Sequence, residues 1–173
     1  GFSLTGTSGK YATQDLLLDI SGPVYGNIDL NSDSAVRPGV LMLGADLVLA
    51  STASFTKGGI IKGDGHTIKF VSGLTLPDNQ MLQIASDTII DGGGGTFTLD
   101  PHAQILVDSG YTLTLRNMTL KNTRNTVNKP SIRLTTTYSR LALDNVTLAL
   151  ADDFAFRTGQ LYVHNDVNVT GTS

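Results

Sequence analysis

The chain has 173 residues, of which 16% are charged and 40% hydrophobic, with a net charge of −3. That suits a globular domain and argues against disorder, against a basic nucleic-acid-binding face and against a polybasic membrane patch. All 15 acidic residues are Asp, Glu and Cys are absent, and there are 22 Thr, 23 Leu and 19 Gly. Such a chain has given up much of the helix-forming alphabet and kept the residues of strands and turns. No apolar run is long enough to span a bilayer, so no membrane span is expected. The absence of Cys excludes disulfides and thiolate chemistry.

The chain opens GFSLTGTSGKY, without an initiator Met or an apolar signal core. A removed leader or a start inside a longer protein is expected. Thr-, Ser-, Gly- and Asn-rich composition with few Lys is common among exported bacterial proteins, so a secreted or cell-surface location is expected.

In chain order, residues 1–35 read as an N-terminal arm, first coil or cap, with strands at Leu16–Ile20 and Val24–Leu30. Within them Asp29-Leu-Asn31-Ser-Asp33 has the spacing that opens a calcium loop. Ser34 stands where such a loop needs Gly and Val40 where it needs Glu, so calcium is only a weak expectation there. From residue 36 to 173, apolar alternations of three to five residues recur between Gly, Asn, Asp and Ser, and each reads as a short strand. No stretch carries an apolar stripe over three helical turns.

Two repeats are legible. Ile61-Lys-Gly63-Asp-Gly65-His-Thr-Ile68 matches Ile90-Asp-Gly92-Gly-Gly94-Gly-Thr-Phe97 at an offset of 29. Leu113-Thr-Leu115-Arg-Asn117-Met-Thr-Leu120 matches Leu141-Ala-Leu143-Asp-Asn145-Val-Thr-Leu148 at 28, with a looser copy around Asn165. Unequal offsets suit a solenoid whose turns vary while its strands stay in register. The glycines Gly63, Gly65, Gly92 and Gly94 predict tight turns. Apolar alternation shifts phase at Asn117, Asn145 and Asn165, which predicts a bend at each, because Asn tolerates the left-handed conformation. Stacked copies would form an inward asparagine ladder.

IKGDGHTI, IDGGGGTF, LTLRNMTL and LALDNVTL resemble the coils of the pectate-lyase-like right-handed parallel β-helix superfamily. The resemblance covers residues 40–170 and implies an all-β, right-handed parallel β-helix of about six to seven coils. The superfamily's hydrolases carry N-T-D, G-x-D-D, G-H-G and R-I-K signatures, and its lyases R-x-P-x-x-R; none is found here. The expectation is therefore a non-catalytic, cofactor-free structural protein. His66, His102 and His164 are isolated. The Gly-x-Gly pairs and Gly6–Tyr11 fit neither dinucleotide nor phosphate loops.

The sequons at Asn117, Asn145 and Asn168 read as structural at the first two positions, since an inward ladder Asn has no room for a sugar. Thr96-x-Thr98, Thr112-x-Thr114 and Thr135–Thr137 raise an ice-binding face, but offsets of 16 and about 23 are too uneven for one flat lattice.

A solenoid without capping helices exposes strand edges at its ends. Head-to-tail association into a filament, sheath or fibre is the expected function, with the chain itself as partner. Leu16, Leu18, Ile20, Val167 and Val169 are the candidate assembly edges, and residues 1–12 a donated strand or cap. The alternatives are a carbohydrate-binding or carbohydrate-cleaving module, with Asp91, Asp144, Arg116 and Arg140 clustered in a groove, or a host-attachment adhesin.

Overall fold

A computed structural model describes residues 4–5, 16–18, 23–24, 27–30, 39–126, 129–152, 154 and 157–171. Every regular element among them is a strand. The short strand β1 (Leu4–Thr5) precedes a first coil of β2 (Leu16–Leu18), β3 (Pro23–Val24) and β4 (Ile28–Asp29). The second coil is β5 (Val40–Leu43), β6 (Leu47–Leu49) and β7 (Ala53–Lys57). The third is β8 (Gly59–Lys62), β9 (Thr67–Phe70) and β10 (Gly73–Leu76). The fourth is β11 (Met81–Ile84), β12 (Thr88–Asp91) and β13 (Thr96–Leu99).

In the fifth coil β14 (Gln104–Val107) leads into β15 (Thr112–Thr123), one long strand that supplies two faces. A small hairpin of β16 (Asn125–Thr126) and β17 (Lys129–Pro130) then interrupts the path. The sixth coil is β18 (Ile132–Leu134) and β19 (Arg140–Leu150), and β20 (Gln160–Gly171) lies over β19.

Apart from that hairpin, every pairing is parallel, and each strand pairs with its counterpart one coil away. This is a parallel β-solenoid of about six turns with three faces. The first face runs β3, β6, β9, β12 and the leading halves of β15, β19 and β20. The second runs β2, β5, β8, β11, β14 and β18. The third runs β1, β4, β7, β10, β13 and the trailing halves of β15, β19 and β20.

Side chains alternate in and out of a strand, and in-register stacking turns that alternation into columns. Leu41, Ile61, Ile84, Val107 and Leu134 form one inward column of the second face. Leu47, Ile68, Ile90, Leu115 and Leu143 form one of the first. Phe70 and Phe97, both fully buried, meet edge to face at 6.3 Å in the interior, a favoured aromatic geometry.

Strands β2, β3 and β4 pair in parallel with β5, β6 and β7, so these described residues stack on the second coil, which is one of the readings open for residues 1–35. One expectation changes. The Gly-rich octets are not one rung above the other. Ile61 pairs with Ile84 on the second face, whereas Ile90 pairs with Ile68 on the first. Gly63–His66 turns between β8 and β9, and Gly92–Gly95 between β12 and β13. The octets share a turn chemistry at two different corners. The Asn octets do stack: Leu113, Leu115, Met118 and Leu120 pair with Leu141, Leu143, Val146 and Leu148.

Candidate functional site

The corner between the first and third faces carries the most distinctive polar arrangement. Asn117, Asn145 and Asn165 have φ of 52°, 56° and 53°, and Gly93, one rung before Asn117, has φ 54°. A left-handed residue at each level turns the chain from one face to the next, a conformation open at low cost to Gly and Asn. Asn145 Nδ2 donates to Asn117 Oδ1 at 3.1 Å, and Asn117 Nδ2 donates to Asp91 Oδ1 at 3.3 Å. Asn165 instead donates to Asp144, because β20 carries an extra residue between the partners of Asp144 and Val146. The amides are not inward: Asn117 is half-buried, and Asn145 and Asn165 are exposed. Steric exclusion of a sugar by the core therefore does not apply at these sequons; Asn168 too is exposed, on β20.

Beside this corner runs a column of charge. Lys69, Asp91, Arg116, Asp144 and His164 occupy consecutive rungs of the first face in strict register. Arg116 Nε donates to Asp91 Oδ2 at 2.8 Å, and the Gly93 amide donates to Asp91 Oδ1 at 2.9 Å. Burial pushes the Asp91 carboxyl up, but the bonds from Gly93, Arg116 and Asn117 and the charge of Arg116 outweigh it, so the carboxyl sits below its ordinary range. A carboxylate held in this way is a poor proton donor at neutral pH. Its chemistry here is to anchor Arg116 and the asparagine chain.

Lys69 and Asp91 of this column border a shallow groove of about 430 Å³, lined also by Gly93, Asn117, Asn145 and Thr147 among others. Of the four residues predicted to cluster in a groove, Asp91, Arg116 and Asp144 come together in one column, and Asp91 alone of them lines the groove. Arg140 does not: it pairs with Thr112 and reaches the Gly110 carbonyl at 3.4 Å. Lys69 was not among the candidates. Only the coil register brings it beside Asp91, from 22 residues earlier in the chain.

Among the predicted tight turns, Gly65 and Gly94 have φ of 86° and 89°. Gly63 and Gly92 serve close approach instead. A Cβ at Gly63 would lie 2.6 Å from Thr88 Oγ1, and one at Gly92 2.5 Å from Met118 Cβ.

The histidines stay separate. His66 lies 3.6 Å from Asp46, and His102 3.0 Å from Asp78. No cluster of three metal-ligating side chains occurs among the described residues. Asp29 lies in β4, while Asn31 and Asp33 fall outside the described residues. Of the candidate edges, Leu16 and Leu18 lie in β2, the last strand of the second sheet at that end, and Ile20 lies outside the described residues. Val167 and Val169 lie in β20; Val167 is partly buried against the core, and Val169 is 62% exposed.

Comparison of the chain with protein-family models, curated proteins and solved structures gave no match.

Proposed function

We propose that the chain is a structural β-helix of the pectate-lyase-like type that stacks end to end at a cell surface or outside the cell. The observation that carries this reading is the last rung. Leu161, Val163 and Val169 continue the inward columns of Leu141, Leu143 and Leu148, which are buried. Yet they are 44%, 57% and 62% exposed, because among the described residues nothing pairs with the outer edge of β20. Another rung laid on β20 would bury these side chains, at about 25 cal/mol per Å² of apolar surface. It would also satisfy a row of free backbone groups. A second copy whose first coil continues this parallel order points the same way, and that contact is head-to-tail and non-closing. In this reading the chain is not an enzyme and needs no cofactor.

Light scattering over a concentration series, with negative-stain microscopy, tests the proposal. The expected result is filaments with an axial repeat of roughly 30–35 Å, from about seven rungs at 4.7–4.9 Å. Val163→Lys is expected to abolish them while leaving the melting temperature within about 2 °C. A wild-type chain that stays monomeric at high concentration overturns the reading.

A second reading, a carbohydrate-binding module, is favoured by the groove. Its amides, hydroxyls and ammonium suit a polyhydroxylated ligand, although among the described residues no aromatic side chain lines it. It predicts saccharide-dependent thermal stabilisation that Asn145→Ala removes.

A further inference from the structure

The outward charges of the first face are complementary to their own reverse. On four consecutive rungs the column runs Lys69, Asp91, Arg116, Asp144: positive, negative, positive, negative. Read from the other end it runs negative, positive, negative, positive. Two copies whose first faces meet with their axes antiparallel therefore set unlike charges opposite each other on all four rungs. Lys69 faces Asp144 of the second copy, Asp91 faces Arg116, and the two-fold axis between the copies repeats each contact. Parallel axes with the rungs level would set like against like throughout, which is destabilising.

The inner two charges are matched within the chain, where Arg116 Nε donates to Asp91 Oδ2 at 2.8 Å. The outer two are not. Among the described residues the exposed Lys69 makes no ion pair or side-chain hydrogen bond, and the half-buried Asp144 meets no cation and accepts from Asn165. Two residues back along the same strands stand Thr67, Ile89, Thr114 and Ala142. None is charged or long, so nothing in that column holds two such faces apart. Four rungs of about four residues present roughly 250 Å² a side, well below the area of a permanent interface. The contact is therefore a weak one that depends on its charges.

We propose that the first face docks a second copy of this chain, flank to flank and antiparallel, with Lys69 of each copy paired to Asp144 of the other. The alternation of sign selects the occupant. A partner of uniform charge would satisfy half of the column and be repelled by the other half. A strip of alternating charge at the strand spacing satisfies every rung, and the chain's own column, reversed, is such a strip. The inference is independent of end-to-end assembly, since it uses the flank of the solenoid rather than its ends.

The test is sedimentation velocity over a concentration series, with Val163→Lys present throughout to remove association through the last rung. A dimer is expected at low salt, its association constant falling at least about tenfold towards 1 M salt, where charges are screened beyond about 3 Å. Lys69→Asp and Asp144→Lys are each expected to stay monomeric, because each sets like charges opposite one another at both outer contacts. Mixed one to one they are expected to dimerise again, because each variant supplies the charge that the other lacks. Lys121→Asp makes the same change in net charge on the third face and is expected to leave the dimer unchanged. A chain that stays monomeric at low salt overturns the proposal, as does a dimer indifferent to salt or a mixture no larger than its parts. Should a charge-reversed variant not fold, Lys69→Ala is expected to weaken the dimer, and an unweakened dimer overturns the proposal equally.

Discussion

Asp91 loses hydration on burial and recovers it from three donors: the Gly93 amide, Arg116 and Asn117. Replacing it with Asn keeps the shape but removes the charge that holds Arg116. A loss of about 1–2 kcal/mol at pH 7 is expected in denaturant unfolding. Because the folded carboxyl lies below its ordinary value, its contribution is fully present above the unfolded value of about 4 and is lost as pH falls through the folded one. The stability gap between wild type and Asp91→Asn should therefore close in acid. A gap of the same size at every pH down to acid unfolding would contradict the clamp.

The bend residues make a sharper prediction, since they need backbone freedom rather than an amide alone. Asn145→Gly should stay within about 0.5 kcal/mol of wild type, whereas Asn145→Val should lose about 1–2 kcal/mol. Equal losses in the two would place the role in the Asn117 hydrogen bond instead. These bends were legible because the apolar alternation changes phase at Asn117 and Asn145. Their outward facing was not, because phase gives the position of a corner and not the direction of the side chain that makes it.

At the scale of the element, β15 and β19 each fold two faces from one run of residues. They stack over ten paired positions with one slip near Lys121 and Thr123. Neighbouring rungs of like length gave the sequence a visible repeat there. The glycine octets misled for a physical reason: Gly reports what a backbone needs at a point, not which corner of the coil the point occupies. Gly65 and Gly94 share a positive φ at different corners. The same limit hid the Lys69–Asp91 pairing, which depends on turn lengths that no short motif carries. The stacking of columns makes the interior continuous, so a loss at mid-height reaches two faces. Phe97 is fully buried, meets Phe70 and pairs with Leu74 and Leu120. Phe97→Ala is expected to cost about 3–5 kcal/mol in urea unfolding, and a cost under about 1 kcal/mol would contradict this packing.

For the whole molecule, one feature carries the charge column, the groove and the open last rung alike: each strand lies directly over its counterpart in the coil before. Lys69 and His164 stand four rungs apart in one column. The chain has no cysteine, so Lys69→Cys and His164→Cys together give a clean pair of sites for spin labels. Double electron–electron resonance on that pair should give a distance distribution centred near 20 Å, four strand spacings. A distribution centred beyond about 30 Å would show that these rungs do not stack, and the columns, the groove and the assembly built on them would fall together.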